Sequence, residues 1–279
     1  MTADLSWMLE DIVHNVPRAR HAVLLSADGL PRGATQGLAE KDVRTISAAM
    51  AGMQSLSRAT AHFAGPEEDR QWNQTIIEFS HGWSFLIGAG QGSYLAAAAA
   101  PDVDMQQISF RMHRLVARLG KNLTSPPRVS AEDAGGARGS APRQSSGDAG
   151  FVIGELDQVM SEVKGARHAV LLGSDGLPRG ATNGMSRDLA DTISAAMTGI
   201  HAYSRVTSQF AGVHEDPQWR QTVIEFQHGW IFLLAAGPDA FLAAAAEHAC
   251  DIEEFTTRLH EVVPRLAAAT TPGKGTGHA

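Results

Sequence analysis

The sequence predicts an α+β protein of two similar domains, each a three-layer α/β/α arrangement with helices on both faces of one sheet. Three observations carry this expectation. The chain repeats itself at a constant offset of 147 residues. Each copy reads helix, two strands, long helix, three strands, helix (αββαβββα) by its apolar periodicity. Asp-Gly and His-Gly pairs stand where those strands must reverse. The repeat is direct: ARHAVLL at 19–25 recurs at 166–172, DGLPRGAT at 28–35 recurs at 175–182, and TISAAM at 45–50 recurs at 192–197. A period this long does not describe a solenoid, so the copies are whole domains. The expected layout is residues 1–121 for the first domain and 151–269 for the second. Residues 122–150, rich in Pro, Gly and Ser, are expected to be a flexible linker, and residues 270–279 a disordered tail.

Each element has a local reason. Residues 5–16 place Leu5, Met8, Leu9, Ile12, Val13 and Val16 at three- and four-residue spacings, an amphipathic helix ended by Pro17. Residues 152–163 are the counterpart. Residues 21–26 run apolar through Val23, Leu24 and Leu25 into Asp28-Gly29, a buried strand entering a tight turn. Residues 30–35 return as a short strand. Pro31 has no amide donor, which puts that strand at a sheet edge. The longest helical pattern, 41–63, carries Val43, Ile46, Met50, Met53, Leu56 and Phe63 on one stripe, and Gly65 and Gly212 are expected to end the two long helices. Strands at 74–79, 83–87 and 93–99 follow, with turns at His81-Gly82 and Gln91-Gly92. Residues 104–119 close the copy as an amphipathic helix through Met105, Ile108, Met112, Leu115, Val116 and Leu119.

Composition excludes several functions. A net charge of -7 argues against a general nucleic-acid binder, which needs a basic face to displace counterions. No run approaches the roughly 20 apolar residues that span a bilayer, and the acidic start lacks the basic region of a secretory signal. The single cysteine, Cys250, excludes an internal disulfide and disfavours a Cys-based zinc site. The expected location is cytoplasmic, with recruitment to a membrane-associated complex as an option and no direct membrane insertion.

No catalytic signature stands out. The chain has no G-x-x-x-x-G-K-[ST] phosphate loop. GAGQG at 88–92 lies between two strands and reads as a turn, since a phosphate cradle wants a helix N-terminus next. The twelve histidines form no H-x-x-x-H pair. The expectation is therefore no catalytic residue, no metal and no cofactor. Candidate interface residues come in matched pairs. Trp72 and Trp219 are either partner anchors or packing. Glu78 and Glu225, with Gln74 and Gln221, lie either on a polar strand face or across a domain contact. Arg58 and Arg205, near the ends of the long helices, are either solvated or reach an acidic partner. The first turns of the long helices differ sharply, AEKDVR at 39–44 against SRDLAD at 186–191.

The element order, DG-L-P after the first strand, and W-x-QT-x-IEF entering the third resemble the roadblock (dynein light-chain-like) family in both copies. The resemblance extends to the bacterial members, including the MglB-type polarity proteins and the roadblock components of actinobacterial conservon operons. The resemblance implies a roadblock/profilin-like fold with a five-stranded antiparallel sheet per domain. It also implies dimerisation through third strands paired edge to edge and long helices side by side. It further implies binding and regulation of a Ras-like small GTPase without an active site of the chain's own. Relatives of this kind usually carry one domain. Two in one chain suggest an intrachain pseudo-dimer, with residues 73–79 and 220–226 as the pairing edges; a homo-oligomer is the alternative. An assembly module without effect on a GTPase and a small-ligand sensor are the other functional readings.

Overall fold

The computed structural model describes residues 5–65, 71–90, 92–119, 146–212 and 218–270. The first repeat contains α1 (Ser6–Asn15), β1 (Ala19–Ser26), β2 (Pro31–Ala34), α2 (Glu40–Ala59), α3 (Ala61–Ala64), β3 (Trp72–Phe79), β4 (Gly82–Gly88), β5 (Ser93–Ala99) and α4 (Met105–Leu119). The second contains α5 (Ser146–Glu162), β6 (Ala166–Gly173), β7 (Pro178–Ala181), α6 (Arg187–Val206), α7 (Ser208–Ala211), β8 (Trp219–Phe226), β9 (Gly229–Ala235), β10 (Ala240–Glu247) and α8 (Ile252–Thr270).

All ten strands join one antiparallel sheet in the order β2-β1-β5-β4-β3-β8-β9-β10-β6-β7. Each repeat contributes five strands, and the two halves meet where β3 pairs with β8. The expected edges are therefore the joined ones. The short strands β2 and β7 close the ends of the sheet, where Pro31 and Pro178 cost no ladder hydrogen bond. Gly29 and Gly176 both take positive φ, near 79° and 78°, as the Asp-Gly turns require.

The sheet separates three apolar cores. On one face, α2 and α6 cover a single cluster drawing on both repeats, including Met50, Phe63 and Ile77 from the first and Met197, Phe210 and Ile224 from the second. On the other face each repeat keeps its own core. Leu9, Ile12, Ile108 and Met112 pack over Leu24 and Leu95 in the first; Leu156, Val159, Phe255 and Leu259 pack over Leu171 and Leu242 in the second. Strand β5 lies inside the sheet with helices on both sides, so all of it is buried. Its alanines split accordingly, with Ala96 and Ala98 in the shared core and Ala97 and Ala99 in the private one.

Two expectations change. The long helix does not run to Phe63: α2 stops at Ala59, and the four-residue α3 follows a break at Thr60. The Thr60 hydroxyl donates to Ser57 O at 2.7 Å and competes with the helical ladder, as Thr207 does toward Ser204 O at 2.8 Å. Gly65 and Gly212 thus end the short helices α3 and α7. In addition, α5 begins at Ser146, so residues 146–150 are helix and not linker. The rest of the expected linker, the tail beyond residue 270, and Gln91 of the expected Gln91-Gly92 turn lie outside the described residues.

Candidate functional site

The seam between the repeats gathers six of the eight candidate residues. β3 and β8 run antiparallel about a pseudo-twofold axis through the Ile76–Val223 pair, two residues that occupy the same position in the two repeats. Gln74 therefore faces Glu225 and Gln221 faces Glu78. Gln221 Nε2 donates to Glu78 Oε2 at 2.7 Å, and Gln74 Nε2 donates to Glu225 Oε2. Beyond the strand ends, Ser80 N donates to Gln218 O and Gln227 N to Gln71 O, both at 2.8 Å. One contact lacks a mirror. Arg220 Nη1 lies 3.1 Å from Glu78 Oε1, and the position matching Arg220 in the first repeat is Asn73.

The tryptophans sit on the helix-covered side of the same strands. Trp72 is buried, donates from Nε1 to Thr75 Oγ1 at 3.0 Å and meets Tyr94 edge to face. Trp219 repeats the first bond to Thr222 Oγ1 at 2.9 Å and stacks edge-on with His201 and Phe241. Both indoles are thus packed and hydrogen-bonded within the chain.

Arg58 and Arg205 lie away from the seam, exposed in the last turns of α2 and α6. Their surroundings differ. Arg58 hydrogen-bonds the Tyr94 side chain, whose pKa burial nevertheless holds above the usual phenol value. At the matching place in the second repeat stands Phe241, and Arg205 instead lies near His201. Burial, helped by the Arg205 charge, pushes the His201 pKa down to about 4. Neutral imidazole is the form its aromatic cage accepts.

Between the two arginines, α2 and α6 lie side by side and interlock. Gly52 of α2 makes room for Tyr203, whose ring carbon Cζ would stand 2.5 Å from any added Cβ. Gly199 of α6 makes the same room for Leu56, again at 2.5 Å. The solvent side of this helix pair exposes the small residues Ala48, Ser55, Ala195 and Ala202 together with Tyr203 and Val206, and charged residues toward the helix ends.

Several inter-repeat contacts were not signalled by local pattern. The α3 turn carries Phe63 across to stack on His168 of β6, and α7 carries Phe210 across to stack on His21 of β1. Arg20 Nη1 donates to His81 O at 3.2 Å and to Ala211 O of the other repeat. His81 Nε2 lies 3.0 Å from Ser208 O. Burial lowers the pKa of both His21 and His168, with Arg20 and Arg167 adding to the effect. These histidines thus sit as neutral rings against phenylalanines. Among the described residues, no group of three His, Cys, Asp or Glu is arranged to hold a metal ion, and no helix is long and apolar enough to cross a membrane.

A comparison with known protein families matches the Roadblock/LC7 domain twice, at residues 5–99 and 152–246, more than half of the chain. The chain belongs to the Roadblock/LC7 domain family. Similar solved structures include a Roadblock/LC7 domain from Streptomyces avermitilis, 29% identical, covering 43% of this chain and 98% of that one with a TM-score of 0.39. The gliding protein MglB from Thermus thermophilus is 16% identical over 45% of this chain and 93% of its own, with a TM-score of 0.39. MglB from Myxococcus xanthus is 12% identical over 43% and 85%, with a TM-score of 0.35. No curated protein matches. The tandem Roadblock/LC7 repeats of this chain pack into one sheet, an intrachain pseudo-dimer.

Proposed function

We propose that this tandem Roadblock/LC7 protein is a non-enzymatic regulator of a Ras-like small GTPase, acting in the cytoplasm as a preassembled platform. The observation that carries this reading is the interlocked α2–α6 pair, whose outer surface exposes the small residues Ala48, Ser55, Ala195 and Ala202. Roadblock relatives reach such a face by dimerising; here the chain supplies both halves. A rigid surface affects a GTPase by binding one arrangement of its switch loops better than the other, and the shift equals that difference in affinity. In this reading Arg58 and Arg205 flank the platform and meet acidic groups of the partner. The six seam residues hold the platform together.

The pseudo-symmetry is broken where a partner would sit. The first turn of α2 carries Glu40, Lys41, Asp42 and Arg44; that of α6 carries Arg187, Asp188 and Asp191. One GTPase per chain in one orientation follows from this. The test is titration of the full chain against bacterial Ras-like GTPases in GDP- and GTP-analogue-bound forms, with hydrolysis and nucleotide release followed in parallel. Nucleotide-dependent binding with a changed hydrolysis or release rate supports regulation. Binding that changes neither rate indicates an assembly module. Two equal sites per chain would refute the asymmetric platform.

A further inference from the structure

The opposite face of the sheet carries a second surface on the first repeat. There β3 turns Gln74, Ile76 and Glu78 outward, half-buried, while Thr75 and Ile77 on the other side are fully buried. The outer helices stand over the neighbouring strands, and between α4 and the seam lies an open groove of about 590 Å³. Ile76, Phe85, Met105 and Phe110 supply its apolar lining, with Gln74 and His113 at its margins. Phe110 is 63% exposed, well outside the α4 stripe that feeds the core. A large aromatic side chain held in water beside an apolar groove is unusual on a surface with no partner.

Charge distinguishes α4 from its counterpart α8. Helix α4 contains Arg111, Arg114 and Arg118 and no acidic residue. Arg111 reaches toward Asp11, and Arg118 lies over the Trp7 ring, while Arg114 pairs with no acid among the described residues. At the equivalent positions of α8, Phe110 is matched by Thr257, Arg114 by Glu261, and Gln106 and Gln107 by Glu253 and Glu254. Arg258 and Arg265 of α8 keep the places of Arg111 and Arg118 but are ion-paired with Glu162, Glu261 and Glu155, so the second repeat lacks the aromatic anchor and the unpaired arginine, although fold and register match.

We propose that the groove along α4 docks an amphipathic helix of a partner protein, one with an apolar stripe flanked by carboxylates. The backbone groups of β3 are already shared between β4 and β8, so no edge is open for an added strand. A bound segment must satisfy its own backbone hydrogen bonds, which a helix does. Its apolar stripe covers Phe110 and Met105, and its carboxylates meet the arginine side of α4. Docking is confined to the first repeat, on the sheet face opposite the α2–α6 platform, and is compatible with a partner bound there.

The experiment uses the full chain and dye-labelled synthetic helices of about 15 residues, some four turns. One peptide carries leucines at i, i+3, i+4 and i+7 with glutamate flanks; a second has lysine flanks, and a third has serines for leucines. The glutamate-flanked leucine peptide is expected to bind about tenfold more tightly than either control, with affinity falling as salt is raised. Phe110→Ser should weaken it about tenfold, and Arg114→Glu should weaken it and narrow the preference over the lysine-flanked peptide. Both side chains are exposed, so each variant should melt like the parent; should one fail to fold, the other still decides. Equal binding of the two leucine peptides, no binding of any, or affinities indifferent to both substitutions would overturn the proposal. So would loss of a concentration-dependent self-association in Phe110→Ser, which would make a second copy of the chain the occupant.

Discussion

Gln221 donates a 2.7 Å hydrogen bond to Glu78 across the seam, and its pseudo-symmetric mate Gln74 does the same to Glu225. Gln221→Glu keeps the shape and sets two carboxylates face to face. The expected cost is about 1 kcal/mol at neutral pH, as for like charges directly opposite in a sheet. The crowding raises the folded-state carboxylate pKa above its unfolded value, so the loss is greatest above that raised pKa. It is relieved as pH falls toward the unfolded value. Urea unfolding of parent and variant near neutrality and near pH 5 checks this; a gap that does not narrow on acidification would count against the carboxylate pair.

Gly82 and Gly229 open the fourth strand of each repeat against a backbone wall. A Cβ on Gly82 would press on Ala99 O and stand 2.8 Å from Ala211 O, and one on Gly229 would press on Ala246 O. Backbone oxygens cannot swing aside as a side-chain tip can. Gly82→Ala and Gly229→Ala should each destabilise by about 2–3 kcal/mol, read as a lower urea midpoint. Gly90→Ala is a poor control despite open space, because Gly90 sits at φ 75°.

His201 makes stability depend on acid. Its pKa is 6.5 when unfolded and about 4 in its aromatic cage, so between these values the unfolded chain holds the extra proton. Stability is unaffected above pH 6.5, declines as pH falls toward 4, and levels off below. Glutamine stands at the matching position of the first repeat, Gln54. His201→Gln should flatten this part of the profile of melting temperature against pH. His21 and His168, both also held below their usual value, contribute to the slope that remains.

Helix α6 is capped by Ser186, whose Oγ accepts from Leu189 N at 3.2 Å; α2 starts from Ala39 in nearly the same backbone conformation without a side-chain cap. Ala39→Ser should therefore add about 1 kcal/mol, typical of an N-cap, measured as a raised urea midpoint.

The shared core makes the repeats one folding unit. Ile77 of β3 and Ile224 of β8 are fully buried in the same cluster. Calorimetry should show a single transition with equal calorimetric and van't Hoff enthalpies. Ile77→Asp should lower the stability of both halves together; two separated transitions in the parent chain would contradict this.

Much of this was legible in the chain. The αββαβββα order follows from apolar period and turn residues, and the β3–β8 seam follows from the duplication together with the family resemblance. The crossing of α3 and α7 to the opposite repeat was not legible. Periodicity runs through Thr60 without interruption, and only the hydroxyl's return to Ser57 O breaks the helix there. The roles of Gly52 and Gly199 depend on a neighbour 147 residues away minus or plus a turn of helix, and spacing along one helix does not register such a partner. Phe110 did leave a signal, an aromatic residue outside the apolar stripe of its helix.

Arg220 and Asn73 carry a further consequence. In an assembly of two identical chains every substitution arrives twice, and any cation introduced at this place would appear on both sides of the axis. Within one polypeptide the position is filled independently on each side, and Glu78 gains a guanidinium neighbour that Glu225 does without. Two repeats in one chain thus escape a symmetry constraint as well as a diffusion step. The two halves keep a common scaffold while their surfaces become inheritable as separate traits, and a left and a right are encoded in one chain.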